Sequence, residues 1–107
     1  MSNLRLATFT LAALVAAAGP AWAGPAEDAM TKAGCMACHT KDKKLVGPAF
    51  KDIAAKYKGQ AGAEATLIAK VRTGGKGSFG PIPMSPNPPD KISDADLKAS
   101  VQWILQQ

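Results

Sequence analysis

The 107-residue chain has one histidine, two cysteines, one tyrosine and only 6% aromatic residues. A single imidazole excludes any centre built from several histidines. A zinc site needs about four protein ligands, typically a second Cys/His pair, and none is present. Nothing alternates as a half-buried strand would, so a thioredoxin-like βαβ setting is also excluded. Repeats and low-complexity tracts are missing, which leaves one domain. Acidic residues are the minority, 8 against 13 Lys and Arg, for a formal charge of +5. The apolar run Leu6–Ala18 is shorter than the ~20 residues a membrane span needs.

The scarce residues fall together, as Cys35-Met36-Ala37-Cys38-His39. This is C-x-x-C-H, the attachment signature of c-type haem. Two thiols at this spacing can each add to one haem vinyl group, giving two thioethers. The next residue, His39, then lies under the ring and offers an imidazole nitrogen to the iron. Three groups must reach one rigid macrocycle from a single turn of chain, which is why the spacing is restrictive. A structural cysteine pair would leave the adjacent histidine unexplained.

Met1–Ala23 reads as a secretory leader. Arg5 is its positive start, Leu6–Ala18 its apolar centre and Ala21-Trp22-Ala23 a small-x-small cleavage site, with cleavage expected after Ala23. The expected working domain is then residues 24–107, in the periplasm, where an oxidising environment acts on free thiols. A domain this small needs a staple, and a covalent haem supplies both a cross-link and the apolar bulk that the low aromatic content withholds.

Four helices are expected. Pro25–Ala33 begins with proline, carries Glu27 and Asp28 in its first turn, and lines up Ala26, Ala29, Met30 and Ala33 on one face. Phe50, Ile53, Ala54 and Tyr57 repeat that spacing and stop at Gly59. Glu64 opens a third helix with Leu67, Ile68 and Val71 inward, ended by Gly74. Ser93 and Asp96 start the fourth as a capping box; Leu97, Val101, Ile104 and Leu105 form its stripe, packing across the first helix. Trp103 lies off that stripe and reads as structural. Between His39 and the second helix, the Gly47-Pro48 turn is either a plain turn or the carbonyl that fixes the histidine ring.

Residues 74–92 form a long loop for so small a domain, which points to function. Its Gly80-Pro81-Ile82-Pro83-Met84 run is stiffened by proline and suited to holding one side chain in place. Thioether sulfur is a soft ligand for iron. Met30 shares the cysteine side of the chain and reads as core, and Met36 is trapped inside the motif. Met84 is therefore the expected sixth ligand.

With C-x-x-C-H, Gly-Pro and Gly-Pro-Ile-Pro-Met in this order, the chain resembles the small bacterial class I cytochromes c of the c-551 type. The likeness extends to Val46-Gly47-Pro48-Ala49, to residues 59–65 and to Trp103-Ile104-Leu105. It implies an all-α fold of four to five short helices around one haem, with His39 and Met84 as axial ligands and electron carriage in the periplasm. Two departures stand out. A tryptophan able to hydrogen-bond a haem propionate often precedes the Gly-Pro-Ile-Pro-Met run, and Phe79 stands there instead. Lys70 or Arg72 is then expected to carry more of that contact. The Pro88-Pro89-Asp90-Lys91 stretch is also longer than usual.

Two axial ligands close the iron, leaving a carrier of single electrons rather than an enzyme. A peroxidase or gas sensor would want a distal histidine or arginine, and no such set is seen. The alternative of a fixed subunit in a larger oxidase stays open. The expected partners are periplasmic or membrane-bound redox proteins, not nucleic acid, and the expected state is a monomer. Docking is expected at the haem edge, where Met36, Ala37, Val46, Ile82 and Pro83 form an apolar patch ringed by Lys41, Lys43, Lys44 and Lys76.

Overall fold

A computed structural model of the chain describes residues 12–13 and 24–107. The expected leader and its cleavage site lie outside the described residues, apart from Ala12 and Ala13.

Helix α1 spans Pro25–Ala33, α2 Phe50–Tyr57, α3 Ala63–Thr73 and α4 Asp94–Leu105, with a single 3-10 turn over Cys35–Ala37. The fold is all-α. Among the described residues the only β-type pairing is two isolated bridges, His39 with Lys44 and Gly75 with Met84.

The helix ends follow local chemistry. Pro25 begins α1 where its missing N–H costs nothing, and Glu27 and Asp28 face the positive end of the dipole. At the other end the Gly34 N–H donates to the Met30 and Thr31 carbonyls. Ser93 caps α4 by accepting from the Asp96 N–H at 3.1 Å. Among the described hydrogen bonds this is the only half of the expected capping box that forms.

The α4 helix is the spine. It packs against α1, α2 and α3 in turn. Leu97 and Val101 are buried with Ala33, Tyr57, Leu67 and Ile92, joining all four helices in one cluster. Burial of a side chain of this size contributes about 1.5–3 kcal/mol. A second cluster holds Met30, Phe50 and Ile104, with Met36 and Trp103 partly buried against it. Small Ser100 sits at the α1–α4 crossing, its hydroxyl donating to the Asp96 carbonyl at 2.7 Å. Met30, read as core from its spacing, is 2% exposed. Among the described residues, no helix is long and apolar enough to cross a membrane.

Candidate functional site

The first half of the site grows from the end of α1. Immediately after Gly34 the chain tightens, with the N–H groups of Cys38 and His39 both reaching the Cys35 carbonyl, at 3.2 and 3.0 Å. One turn thus carries both cysteines and the histidine. Cys35 is half-buried against both core clusters, and Cys38 is exposed; both are free thiols. Burial pushes the Cys35 thiol up from its ordinary value, against a smaller opposing pull from its backbone hydrogen bond.

His39 is held from three sides. Its Nδ1 lies 2.8 Å from the Pro48 carbonyl. A carbonyl can only accept, so Nδ1 carries the proton and the Nε2 lone pair is left for another partner. The alternative of a plain turn at Gly47-Pro48 is thereby resolved in favour of the carbonyl. The imidazole stacks on Phe50, with centroids 5.4 Å apart and planes at 19°, and Phe50 in turn meets the edge of Trp103 at 5.5 Å. On the third side is Gly47. A Cβ there would come within 2.6 Å of the His39 ring, so only glycine lets the backbone pass.

The segment after His39 is tied to α2. The Thr40 and Lys41 carbonyls accept from the N–H groups of Phe50 and Lys51 at 2.9 and 3.1 Å. Those are donors that the first turn of a helix leaves unsatisfied. Registering this loop on α2 also places Phe50 against the histidine. A groove of about 290 Å³ beside the ring is lined by Glu27, Met36, His39, Thr40, Lys41, Phe50 and Trp103. A larger one, about 410 Å³, lies between α1 and the start of α4, lined by none of Cys35, Cys38, His39 and Met84.

The second half of the site is the loop after α3. Gly75 and Met84 exchange two backbone hydrogen bonds, at 3.0 and 2.8 Å. The approach is close: at Gly74, where φ is +67°, a Cβ would lie 2.3 Å from the Met84 carbonyl oxygen. Met84 itself is half-buried. Beyond it, Asn87 is one of the few buried polar residues. Its amide Nδ2 donates to the Val71 and Ser85 carbonyls at 3.2 and 3.0 Å, and its N–H also reaches Val71 at 3.0 Å.

Arg72 ties the loop to α4. Its guanidinium donates to the Asn87 and Ile92 carbonyls at 3.0 and 2.7 Å and pairs with Asp94. It is a clip between the loop and α4. Lys70 is engaged too, donating to the Ser78 hydroxyl at 2.7 Å.

The loops bearing His39 and Met84 also carry the exposed large apolar side chains, Leu45, Val46, Phe79 and Ile82, which are 41–58% exposed. Apolar groups gathered on two loops suit contact with something apolar. The donor set of imidazole, thioether and two thiols, backed by glycine at the histidine ring, fits a covalently attached haem. Of the expected docking patch, Ala37, Val46, Ile82 and Pro83 are exposed, whereas Met36 is partly buried against the core.

Sequence reasoning overlooked Phe50 as the partner of the His39 ring, Asn87 as the loop anchor and the close approaches at Gly47 and Gly74. For Asn87 a signal existed: a lone amide in Pro86-Asn87-Pro88, where stiff backbone favours a fixed polar contact.

Comparison with known proteins agrees with this geometry. The family model for cytochrome c matches residues 16–107. Cytochrome c2 of Rubrivivax gelatinosus is 56% identical over 84 residues, covering 78% of this chain and 98% of that protein. Cytochrome c-552 of Nitrosomonas europaea is 44% identical over 105 residues, covering 98% and 97%. The crystal structure of wild-type Nitrosomonas europaea cytochrome c552 superposes with a TM-score of 0.67 at 49% identity, covering 73% of this chain and 94% of that one. The chain belongs to the cytochrome c family and is a small electron carrier with a covalent c-type haem.

Proposed function

We propose that Cys35 and Cys38 form the two thioethers, that His39 and Met84 are the axial ligands, and that the carrier works in the periplasm after cleavage behind Ala23. The observation that carries this reading is the His39 environment. The Pro48 carbonyl fixes the Nδ1–H tautomer, and the ring sits one turn from two free thiols. Bound haem supplies a one-electron iron couple. The chain supplies both axial donors, so no position is left for a substrate and the protein is a carrier rather than an enzyme. A donor hydrogen bond from Nδ1 makes imidazole a firmer ligand, and thioether sulfur favours the ferrous state, which together set the potential.

Partners are donor and acceptor redox proteins docking over Val46, Ile82 and Pro83. Lys41, Lys43, Lys44 and Lys76 are all exposed and come from the same two loops, which supports an acidic partner surface. The Met84 assignment is tested by paired replacements. Met84→Ala should abolish the sulfur–iron charge-transfer band, admit cyanide to ferric iron and lower the potential, while Met30→Ala keeps the band and loosens the core. The reverse pattern would rule Met84 out.

A further inference from the structure

We propose that Lys56, on α2, is a positioning residue for the Met84 loop, pinning it through Ser78 and Phe79. The inference rests on reading Met84 as a ligand. Lys56 Nζ donates to the Ser78 carbonyl, 22 residues along the chain. The same ammonium lies 4.6 Å from the centroid of the Phe79 ring, and 5.9 Å from that of Tyr57. Lys70 Nζ reaches the Ser78 hydroxyl from α3, at 2.7 Å. Ser78 is thus gripped from two helices by two cations.

This segment has little else to hold it. Gly74, Gly75, Gly77 and Gly80 give it backbone freedom. Its own hydrogen bonds are the Gly75–Met84 pair and Gly77 N–H to the Gly80 carbonyl, at 2.9 Å. None of its residues is buried. An ordinary surface lysine would contribute almost nothing, because an exposed ammonium is well solvated. Lys56 differs in making two contacts at once, one to backbone and one to an aromatic face. At an exposed site a cation over a ring favours the closed form about two- to fivefold. Its neighbour Tyr57 is buried in the core, so the α2 end of the pin is fixed to the rigid part of the fold. Opening of the loop is resisted at a point six residues before Met84.

The test is hydrogen exchange on the haem-loaded protein, read beside cyanide binding to its ferric form. Lys56→Met keeps the stem and removes the charge; Lys56→Arg keeps the charge. With Lys56→Met, the amides of Gly77 and Met84 should exchange about two- to fivefold faster, those of Leu97 and Val101 should not change, and Lys56→Arg should stay near the parent. Cyanide entry should accelerate by the same factor. Unchanged exchange at Gly77 and Met84 would overturn the pin, whatever cyanide does. Faster exchange with unchanged cyanide entry would uphold the pin and count against Met84 as the ligand.

Discussion

At the scale of single residues, the site depends on contacts that leave no room. Gly47→Ala places a methyl within 2.6 Å of the His39 ring, which must then rotate or retreat from the Pro48 carbonyl. Overpacking of this kind costs about 1–3 kcal/mol, and chemical denaturation of the haem-loaded protein should show a loss of that size. The same change should alter the paramagnetic shifts of the haem methyl protons, which follow the orientation of the axial ring. A variant with parent stability and parent shifts would mean that the glycine is incidental. C-x-x-C-H could be read without a structure because its chemistry is local, three groups in one turn. The Gly47 approach could not, since it arises only when two segments eight residues apart are laid side by side. Phe50 shows the same limit: its spacing marked it as apolar, but nothing in the spacing told which ring it would meet.

Among the elements, the long loop after α3 is fastened at its far end by Asn87 and Arg72. Asn87→Ala removes two side-chain hydrogen bonds, to the Val71 and Ser85 carbonyls, while the backbone N–H of residue 87 still reaches Val71. An ordinary hydrogen bond contributes about 0.5–1.5 kcal/mol net, so the pair is worth roughly 1–3 kcal/mol. Cyanide should therefore bind ferric Asn87→Ala faster than the parent, and denaturant unfolding should come earlier. The Arg72–Asp94 ion pair should matter less, because Asp94 is almost fully exposed and its charge is well screened. Ser93→Ala removes the α4 cap and should cost about 1 kcal/mol without affecting cyanide entry. The helices themselves were legible, since Pro25, Gly34, Gly59, Gly74 and Ser93 punctuate an apolar period of 3.6 residues. The loop was legible only as an outline. Its proline content announced stiffness, but the anchors are long-range contacts from α2, α3 and α4. The clip made by Arg72 was hidden for that reason: a cation in the last turn of a helix has many partners within reach, and sequence spacing does not choose among them.

For the molecule as a whole, the loops that bear His39 and Met84 expose Lys41, Lys43, Lys44 and Lys76 beside Leu45, Val46, Phe79 and Ile82. Charged rims mainly raise association rates, and salt screens them over a Debye length of about 10 Å at 0.1 M. Electron transfer to the physiological partner should slow as ionic strength rises. Reversing Lys43 and Lys44 to Glu should slow it further at an unchanged potential. Rates indifferent to both would leave docking to the apolar patch alone. All of this presupposes one haem held through Cys35 and Cys38. Intact mass of the exported protein under denaturing conditions tests it most directly. The expected mass is that of residues 24–107 plus one haem that survives acid–acetone extraction, with the haem found on the peptide containing Cys35 and Cys38. A chain of unmodified mass, with those cysteines free or joined as a disulfide, would contradict it.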